Sequence, residues 1–364
     1  MAFRVLIVDD TVTYRKILTD VLGAVPDTEV AGTAPSGAIA LKKLAQGKID
    51  VVLLDVHMPD MDGVETLKRI KKEFPAVAVV MVSGITTRSA DTTIEALQIG
   101  AVDFIRKPDG PDAAANLAQL KNDIGAVVRL IKLKRITSNI GTGASHPGAV
   151  KTSLPPGKET STSFAPLPRS FGACVIGVST GGPEALSKLI PALNGPFHAP
   201  ILCVQHMPPM FTKSLAESLA KKSKIRVVEA IDDEIVEPGV MYFAPGGRHM
   251  VVRKTDGPVR IGVNDGPPEN SCRPSVDVLF RSAASVYGDC GILGVVLTGM
   301  GNDGCNGVRS LKRRGCYCIT QSEHSCVVYG MPRAVDEAGL SDASMALEAI
   351  PFEIETLLKN GRRM

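Results

Sequence analysis

Tryptophan is absent, and aromatic residues make up only 4% of the 364-residue chain. Its cores must therefore be aliphatic, as in parallel sheets rich in Val, Ile and Leu. No CxxC pair occurs among the eight cysteines, and the closest two are Cys316 and Cys318. That pattern reads as reduced, buried thiols in a cytoplasmic protein. Long apolar runs are missing too. Stretches such as Gly291–Leu297 are far too short to cross a bilayer, and the opening MAFRVLIVDD reads as a strand rather than a signal peptide. Nor is there an excess of one charge: the net charge is +3. With no helix-turn-helix pattern, this argues against nucleic acid as a partner, and membrane insertion is not expected. The length suits two or three domains.

What is present begins with alternation. Up to residue 136, the apolar runs VLIV (5–8), EVAGTA (29–34), VVLLD (51–55), VAVVMVS (77–83) and VDFI (102–105) are separated by amphipathic segments. The last segment places Leu117, Leu120, Ile124, Val128 and Ile131 at helical spacing. Five βα units imply a (βα)5, flavodoxin-like domain with helices on both faces of a parallel sheet. Between 137 and 170, 20 of 34 positions are Ser, Thr, Gly or Pro. Such a stretch buries too little apolar surface to offset its ordering entropy and reads as a flexible linker. From 171 to 364 a second α/β domain is expected. Strands are predicted at 173–178, 200–205, 226–229, 240–243 and 292–298, and helices near 182–193, 210–221, 275–286 and 304–314. The Gly- and Pro-rich stretch 238–270 reads as an antiparallel hairpin insert in a doubly wound sheet.

In the first domain, strand one ends in Asp9-Asp10, strand three in Asp55 and strand four in Ser83, and Lys107-Pro108 follows strand five. Ligands of open parallel sheets sit outside the carboxyl ends of the strands. Three carboxylates, a hydroxyl and an ammonium are therefore expected to converge there. The carboxylates repel one another unless a cation joins them, and an oxygen-rich site suits Mg²⁺. Asp at a strand end is also ordinary turn chemistry. That explains any one of these residues better than all of them in matching places.

The pattern VDD, LDVHMPDMDG, VSG and RKP resembles a two-component receiver domain. The resemblance implies that Asp55 is phosphorylated by a histidine kinase. It implies that Asp10, Asp55 and the backbone carbonyl of His57 hold Mg²⁺, with Asp9 acting through water. Ser83 and Lys107 would contact the phosphoryl group. The His57 ring itself is expected to point away.

In the second domain, the run VIGVSTGGPEAL carries Gly177-Val178-Ser179-Thr180-Gly181, a G-x-S-x-G between a strand and a helix start. Ser179 fits a nucleophile on a tight turn, and the N–H groups of Thr180 to Gly182 fit an oxyanion site at a helix N-terminus. A plain helix cap fits the stretch equally. A dinucleotide or phosphate loop fits less well, since GVSTGG is neither GxGxxG nor GxxxxGK[ST]. A nucleophilic serine needs a base. His206 ends the strand PILCVQH of the following unit, whereas His198, His249 and His324 fall in loops or a hairpin. The stretch GILGVVLTGMGNDGCNG delivers Asn302 and Asp303 to the same sheet edge. Asp303 alone would read as a cap; beside Ser179 and His206 it reads as the orienting carboxylate of a triad. The order Ser…His…Asp differs from that of α/β-hydrolases. Cys305, inside a predicted helix, is a weaker nucleophile candidate.

IGVSTGG, VQHMP, PENSCRPSVDVLF, LTGMGNDG and YGMPRA resemble the catalytic domain of the chemotaxis protein-glutamate methylesterase (CheB) family over about residues 172–355. One departure is Gln321-Ser322-Glu323-His324-Ser325, where the family often has Gln-Asp-Glu-Ala-Ser. The resemblance implies Ser179 as nucleophile, His206 as base, Asp303 as orienter and the Met300 N–H as an oxyanion donor. It further implies methyl-accepting chemoreceptor helices as substrate, hydrolysis of glutamyl methyl esters without a cofactor, glutamine deamidation, and activation by phosphorylation. A non-enzymatic, phosphorylation-dependent binding module is the competing expectation.

Overall fold

The computed structural model describes residues 2–84, 86–108, 110–140, 168, 170–254 and 256–359. The first domain is built from β1 (Phe3–Val8), α1 (Val12–Gly23), β2 (Thr28–Ala34), α2 (Gly37–Gln46), β3 (Val51–Asp55), α3 (Gly63–Glu73), β4 (Ala78–Ser83), α4 (Thr87–Ile99), β5 (Asp103–Arg106) and α5 (Ala113–Ile140). Its five strands pair in parallel in the order β2-β1-β3-β4-β5. The strand runs are almost wholly Val, Ile and Leu because both sheet faces are covered: Val5 to Val8 and Val51 to Leu54 are all at most 1% exposed. Helix α5 is described as far as Ile140, past the boundary expected at 136. The next helix breaker after residue 136 is Gly141, and Thr137, Ser138 and Asn139 each cost a helix only a few tenths of a kcal/mol, roughly. The rest of the expected linker, 141–167, lies outside the described residues.

The second domain contains β6 (Ala173–Val178), α6 (Gly182–Ala192), β7 (Ile201–Gln205), α7 (Phe211–Ala220), β8 (Arg226–Glu229), β9 (Val240–Phe243), β10 (His249–Arg253), β11 (Arg260–Asn264), α8 (Val276–Tyr287), β12 (Ile292–Val296), α9 (Cys305–Lys312), β13 (Tyr317–Gln321), α10 (Met331–Glu337), β14 (Ala343–Met345) and α11 (Ile350–Lys359). Seven strands form a parallel sheet, β14-β13-β12-β6-β7-β9-β8. The expected insert is the separate antiparallel pair β10–β11. From β6 the chain first builds outward through β7, then crosses back to add β12, β13 and β14 on the other side. The switch point thus lies beside β6, where a crevice opens at the carboxyl ends of the strands.

Helices α8 and α9 are locked by two buried acids, each serving the other's helix. Asp303, just before α9, accepts from the N–H groups of Val276 and Asp277 at the start of α8. Asp277, in the first turn of α8, accepts from Gly304 and Gly307 N–H at the start of α9. Each carboxylate satisfies donors that a helix start leaves open and meets the positive end of the helix dipole.

The domains share an apolar interface. Helix α4 packs on α6 and α7, and one cluster of buried side chains runs from Ile94 and Leu97 into Leu186, Phe211 and Leu215. Phe104 stacks on Phe211 with ring centroids 4.5 Å apart. At the rim, Gln98 Oε1 accepts from Lys222 Nζ at 2.8 Å and Ser218 Oγ at 3.2 Å.

Replacing Asp277 by Ala strands two buried amides, so urea unfolding should show a loss of about 1–3 kcal/mol. An unchanged midpoint would contradict the cross-capping account.

Candidate active site

Ser179 follows the last residue of β6 on a turn held from three sides. Its N–H donates to Thr298 O at 3.0 Å, and its carbonyl accepts from Gly182 N at 2.8 Å and Gln205 Nε2 at 3.0 Å. Gly181, the cap of α6, has φ +77°, and a Cβ there would meet Val327 Cβ at 2.4 Å. Both facts require glycine after the serine–threonine pair. Gly299 is required for another reason: a Cβ on it would lie 2.8 Å from Ser179 Cβ. Two chain segments can thus close around the serine. Among the described residues, neither the Thr180 N–H nor the Met300 N–H donates to a protein acceptor. Met300 is 47% exposed.

His206 directly follows β7, and its N–H donates to Val178 O at 3.1 Å. Its Nε2 lies 2.8 Å from Asp303 Oδ2. Nδ1 is the nitrogen that the carboxylate does not engage; its neighbour is Cys272 Sγ at 3.6 Å. Asp303 is 2% exposed. Besides His206, it is held by Val276 N, Asp277 N, Gly304 N, Asn270 Nδ2 and Ser275 Oγ. Burial alone would raise its pKa, but the hydrogen bonds and the His206 ring hold the carboxyl down at about 2. Burial alone would lower the His206 pKa, but Asp303 and the Cys272 thiol group outweigh it and raise it to about 9.

Asp303, expected as either cap or orienter, bonds the His206 ring and accepts from the start of α8, while the cap residue of its own helix is Gly304. The surroundings of Cys305 count against it as a nucleophile. Its thiol donates to Ala334 O at 3.3 Å, and burial raises its pKa. All eight cysteines are free, as expected, but Cys290 is exposed and Cys272 and Cys305 are only partly buried.

Several residues of this site carried no individual signal. Asn270, Cys272 and Ser275 come from the PENSCRPS loop, which returns to the site through consecutive left-handed residues, Asn270 (φ 52°) and Ser271 (φ 61°). His249, expected only as a hairpin residue, supports this loop: its ring bonds Pro267 O at 3.0 Å and accepts from Ser275 N at 3.2 Å.

In the first domain, Asp9, Asp10 and Asp55 converge as expected, with carboxylate oxygens within 4.8 Å of one another. Lys107 Nζ lies 2.8 Å from Asp9 Oδ2 and 2.9 Å from Asp55 Oδ2. Burial raises the Asp55 pKa despite Lys107 and the His57 N–H, and for Lys107 the two carboxylates outweigh burial and raise it. The His57 ring does point away, toward Ser89 Oγ at 2.9 Å. The Ser83 hydroxyl accepts from Thr93 Oγ1 of α4 at 2.8 Å and donates to Gly84 O at 3.2 Å.

The two domains meet at the serine. A cavity of about 160 Å³ is lined by Ser179, Thr180 and His206 from one side and by Leu97, Val102, Asp103 and Phe104 from the other. Thr180 Oγ1 donates to Asp103 Oδ2 at 3.0 Å. Burial pushes the Asp103 carboxyl up to about 6, partly offset by the Phe104 N–H and this hydroxyl.

Fold and site together define a class: a receiver domain joined to a parallel-sheet hydrolase domain. A CheB methylesterase family model matches residues 174–354, and a response regulator receiver domain model matches residues 5–119. The chain belongs to the CheB methylesterase family. It is 43% identical to a Desulfotalea psychrophila protein over 98% of both chains, and 42% identical to one from Trichodesmium erythraeum over 97% and 98%. Both relatives are named protein-glutamate methylesterase/protein-glutamine glutaminase. The Thermotoga maritima CheB methylesterase catalytic domain is 42% identical, with a TM-score of 0.50, covering 52% of this chain and 99% of that one. No described helix is long and apolar enough to cross a membrane.

A base has to be neutral, so with His206 in that role kcat/KM should climb as pH rises toward about 9. Replacing Cys272 by Ala removes one of the groups that raise the ring's pKa, so the acidic limb should move to lower pH. A limb that stays in place would contradict this assignment. The linked stability has the opposite sign: it is full below the unfolded pKa of about 6.5 and is lost as pH rises through about 9.

Proposed function

We propose that this chain is a phosphorylation-activated protein-glutamate methylesterase acting on γ-glutamyl methyl esters of chemoreceptor cytoplasmic helices. The observation that carries this is the pairing of His206 Nε2 with buried Asp303, which leaves Nδ1 free at the edge where Ser179 ends its strand. Ser179 Oγ attacks the ester carbonyl while Nδ1 takes its proton. The oxyanion forms against the Thr180 and Met300 N–H groups, which have no protein acceptor to give up. The imidazolium returns the proton to the leaving methoxide, and methanol departs. Water, deprotonated by the same nitrogen, then releases the glutamate and restores Ser179. Among the described residues the Ser179 hydroxyl makes no hydrogen bond, in keeping with a resting state that tightens only around substrate. A glutamine side chain meets the same groups with ammonia as leaving group, so deamidation belongs to the same proposal.

Regulation enters through Asp55, with a histidine kinase as phosphodonor. The hard oxygens of Asp9, Asp10 and Asp55, with the His57 carbonyl, fit Mg²⁺, which when bound would neutralise the carboxylates and the incoming phosphoryl oxygens. Lys107 already sits between Asp9 and Asp55 and is placed to contact a phosphoryl group there. Ser83 would have to leave Thr93 to reach it, and that exchange acts directly on α4, the helix packed against the second domain. The receiver's cover over Ser179 and the Asp103–Thr180 bond support a resting state held closed.

Methanol release from a methylated receptor fragment tests the chemistry. It should disappear in Ser179→Ala and rise when a small phosphodonor and Mg²⁺ are added; release that persists in the variant would sink the triad. The docking has its own test. Phe104→Ala removes a stacked pair worth about 0.5–1.5 kcal/mol beyond the apolar area it buries, so the unphosphorylated rate should rise by about twofold or more. A basal rate that stays level or falls would contradict a cover held by this face.

A further inference from the structure

The hydrolytic cycle gives Cys272 no task, yet its placement is well defined. Its Sγ lies 3.6 Å from His206 Nδ1, the nitrogen that Asp303 leaves free. The ligand atoms of Cys272, His206 and Asp303 lie within 4.8 Å of one another. A thiolate and an imidazole bound to one zinc ion sit at about 2.3 and 2.0–2.1 Å from it, which at a tetrahedral angle separates S from N by about 3.6 Å. The observed spacing therefore admits the ion without moving either side chain apart.

The surroundings suit the same ion. His206 Nε2 already faces Asp303, and an outer carboxylate of this kind fixes the ring and strengthens its other nitrogen as a ligand. The loop holding Cys272 is closed on itself by two backbone hydrogen bonds with Glu269, at 2.8 and 3.1 Å. Asn270 ties that loop to Asp303 at 2.8 Å. One sulfur and one imidazole nitrogen select a borderline-soft cation such as Zn²⁺ over Mg²⁺, whose preference is for all-oxygen groups like Asp9, Asp10 and Asp55. Among the described residues, no other cysteine belongs to a group of three or more candidate ligands.

We propose that Cys272 Sγ and His206 Nδ1 form a zinc-class cation site, with Asp303 as its outer carboxylate, and that filling it switches the hydrolase off. A metal on Nδ1 uses the lone pair that must take the Ser179 proton, so occupancy and turnover exclude each other. Two protein ligands leave the other positions to water or the serine hydroxyl. Binding is then weaker than in a closed four-ligand site and reversible by a chelator. The shut-off rests on the hydrolytic role given to His206; the binding rests on the geometry alone.

The test separates the two. The full chain, kept reduced with a phosphine and in excess Mg²⁺, is titrated with Co²⁺. A thiolate-to-cobalt charge-transfer band should grow to one equivalent. It should be lost in Cys272→Ala and in Cys272→Ser, which keeps the loop filled, and need at least tenfold more Co²⁺ in His206→Ala. Cobalt on the receiver's oxygen cluster gives no such band. No band, or a band that survives both Cys272 variants, would overturn the site. In parallel, Zn²⁺ should inhibit methanol release reversibly. Each Cys272 variant should need at least tenfold more Zn²⁺ for half-inhibition, measured against its own metal-free rate. A cobalt band without zinc inhibition would overturn the shut-off and count against His206 as the base, while leaving the binding geometry standing.

Discussion

The arrangement depends on one buried carboxylate. Asp303 lies where almost no water reaches it, and an ion there is tolerable only if its lone pairs are met. They are met by six donors: three backbone N–H groups from two helix starts, an amide, a hydroxyl and the His206 ring. This makes the His206 ring and the packing of α8 on α9 parts of one network. Turning the His206 ring or shifting α8 would each remove a donor from Asp303 Oδ2, which His206 shares with Val276 N. Asp277 adds the reciprocal tie by serving α9. Orientation of the imidazole is thus a property of the fold rather than of a loop.

The parallel sheet explains why the central residues could be read in advance. A buried parallel strand is a continuous apolar run, so its end is visible in sequence, and the residue after it lies at the sheet edge. Ser179, His206 and Asp55 stand at such ends, and Asp303 follows β12 after a short glycine-containing loop. Much of the rest was not legible, for physical reasons. Strands β13 and β14 and helices α10 and α11 are short or flanked by half-buried stretches, where neither period develops over enough residues. The PENSCRPS loop reaches the site through left-handed backbone at Asn270 and Ser271, which no apolar pattern announces. Which helix Asp303 would cap, and which ring nitrogen it would engage, depends on contacts between segments dozens of residues apart. Ser83 was placed at the right strand end, but its hydroxyl faces Thr93 because α4 crosses close to it.

The two sites are joined by an interface that has the character of an interior. Apolar side chains of α4 continue into those of α6 and α7, and the Phe104–Phe211 stack sits close to the cavity that holds Ser179. The receiver's carboxylate cluster lies at one end of β4, and Ser83 connects that end to α4 through Thr93. A change of charge at Asp55 therefore has a short physical path to the face that covers the serine. That path is a set of packed elements, the contiguous connection that a switch between the two sites requires.

The central claim is that Ser179 is activated by the Asp303-held His206 and is shielded by the receiver. Labelling of the full chain by a serine-directed fluorophosphonate, with and without a small phosphodonor and Mg²⁺, tests it most directly. The account predicts a single adduct on Ser179 that forms faster once Asp55 is phosphorylated. No adduct on Ser179, or a rate indifferent to the phosphodonor, would contradict it.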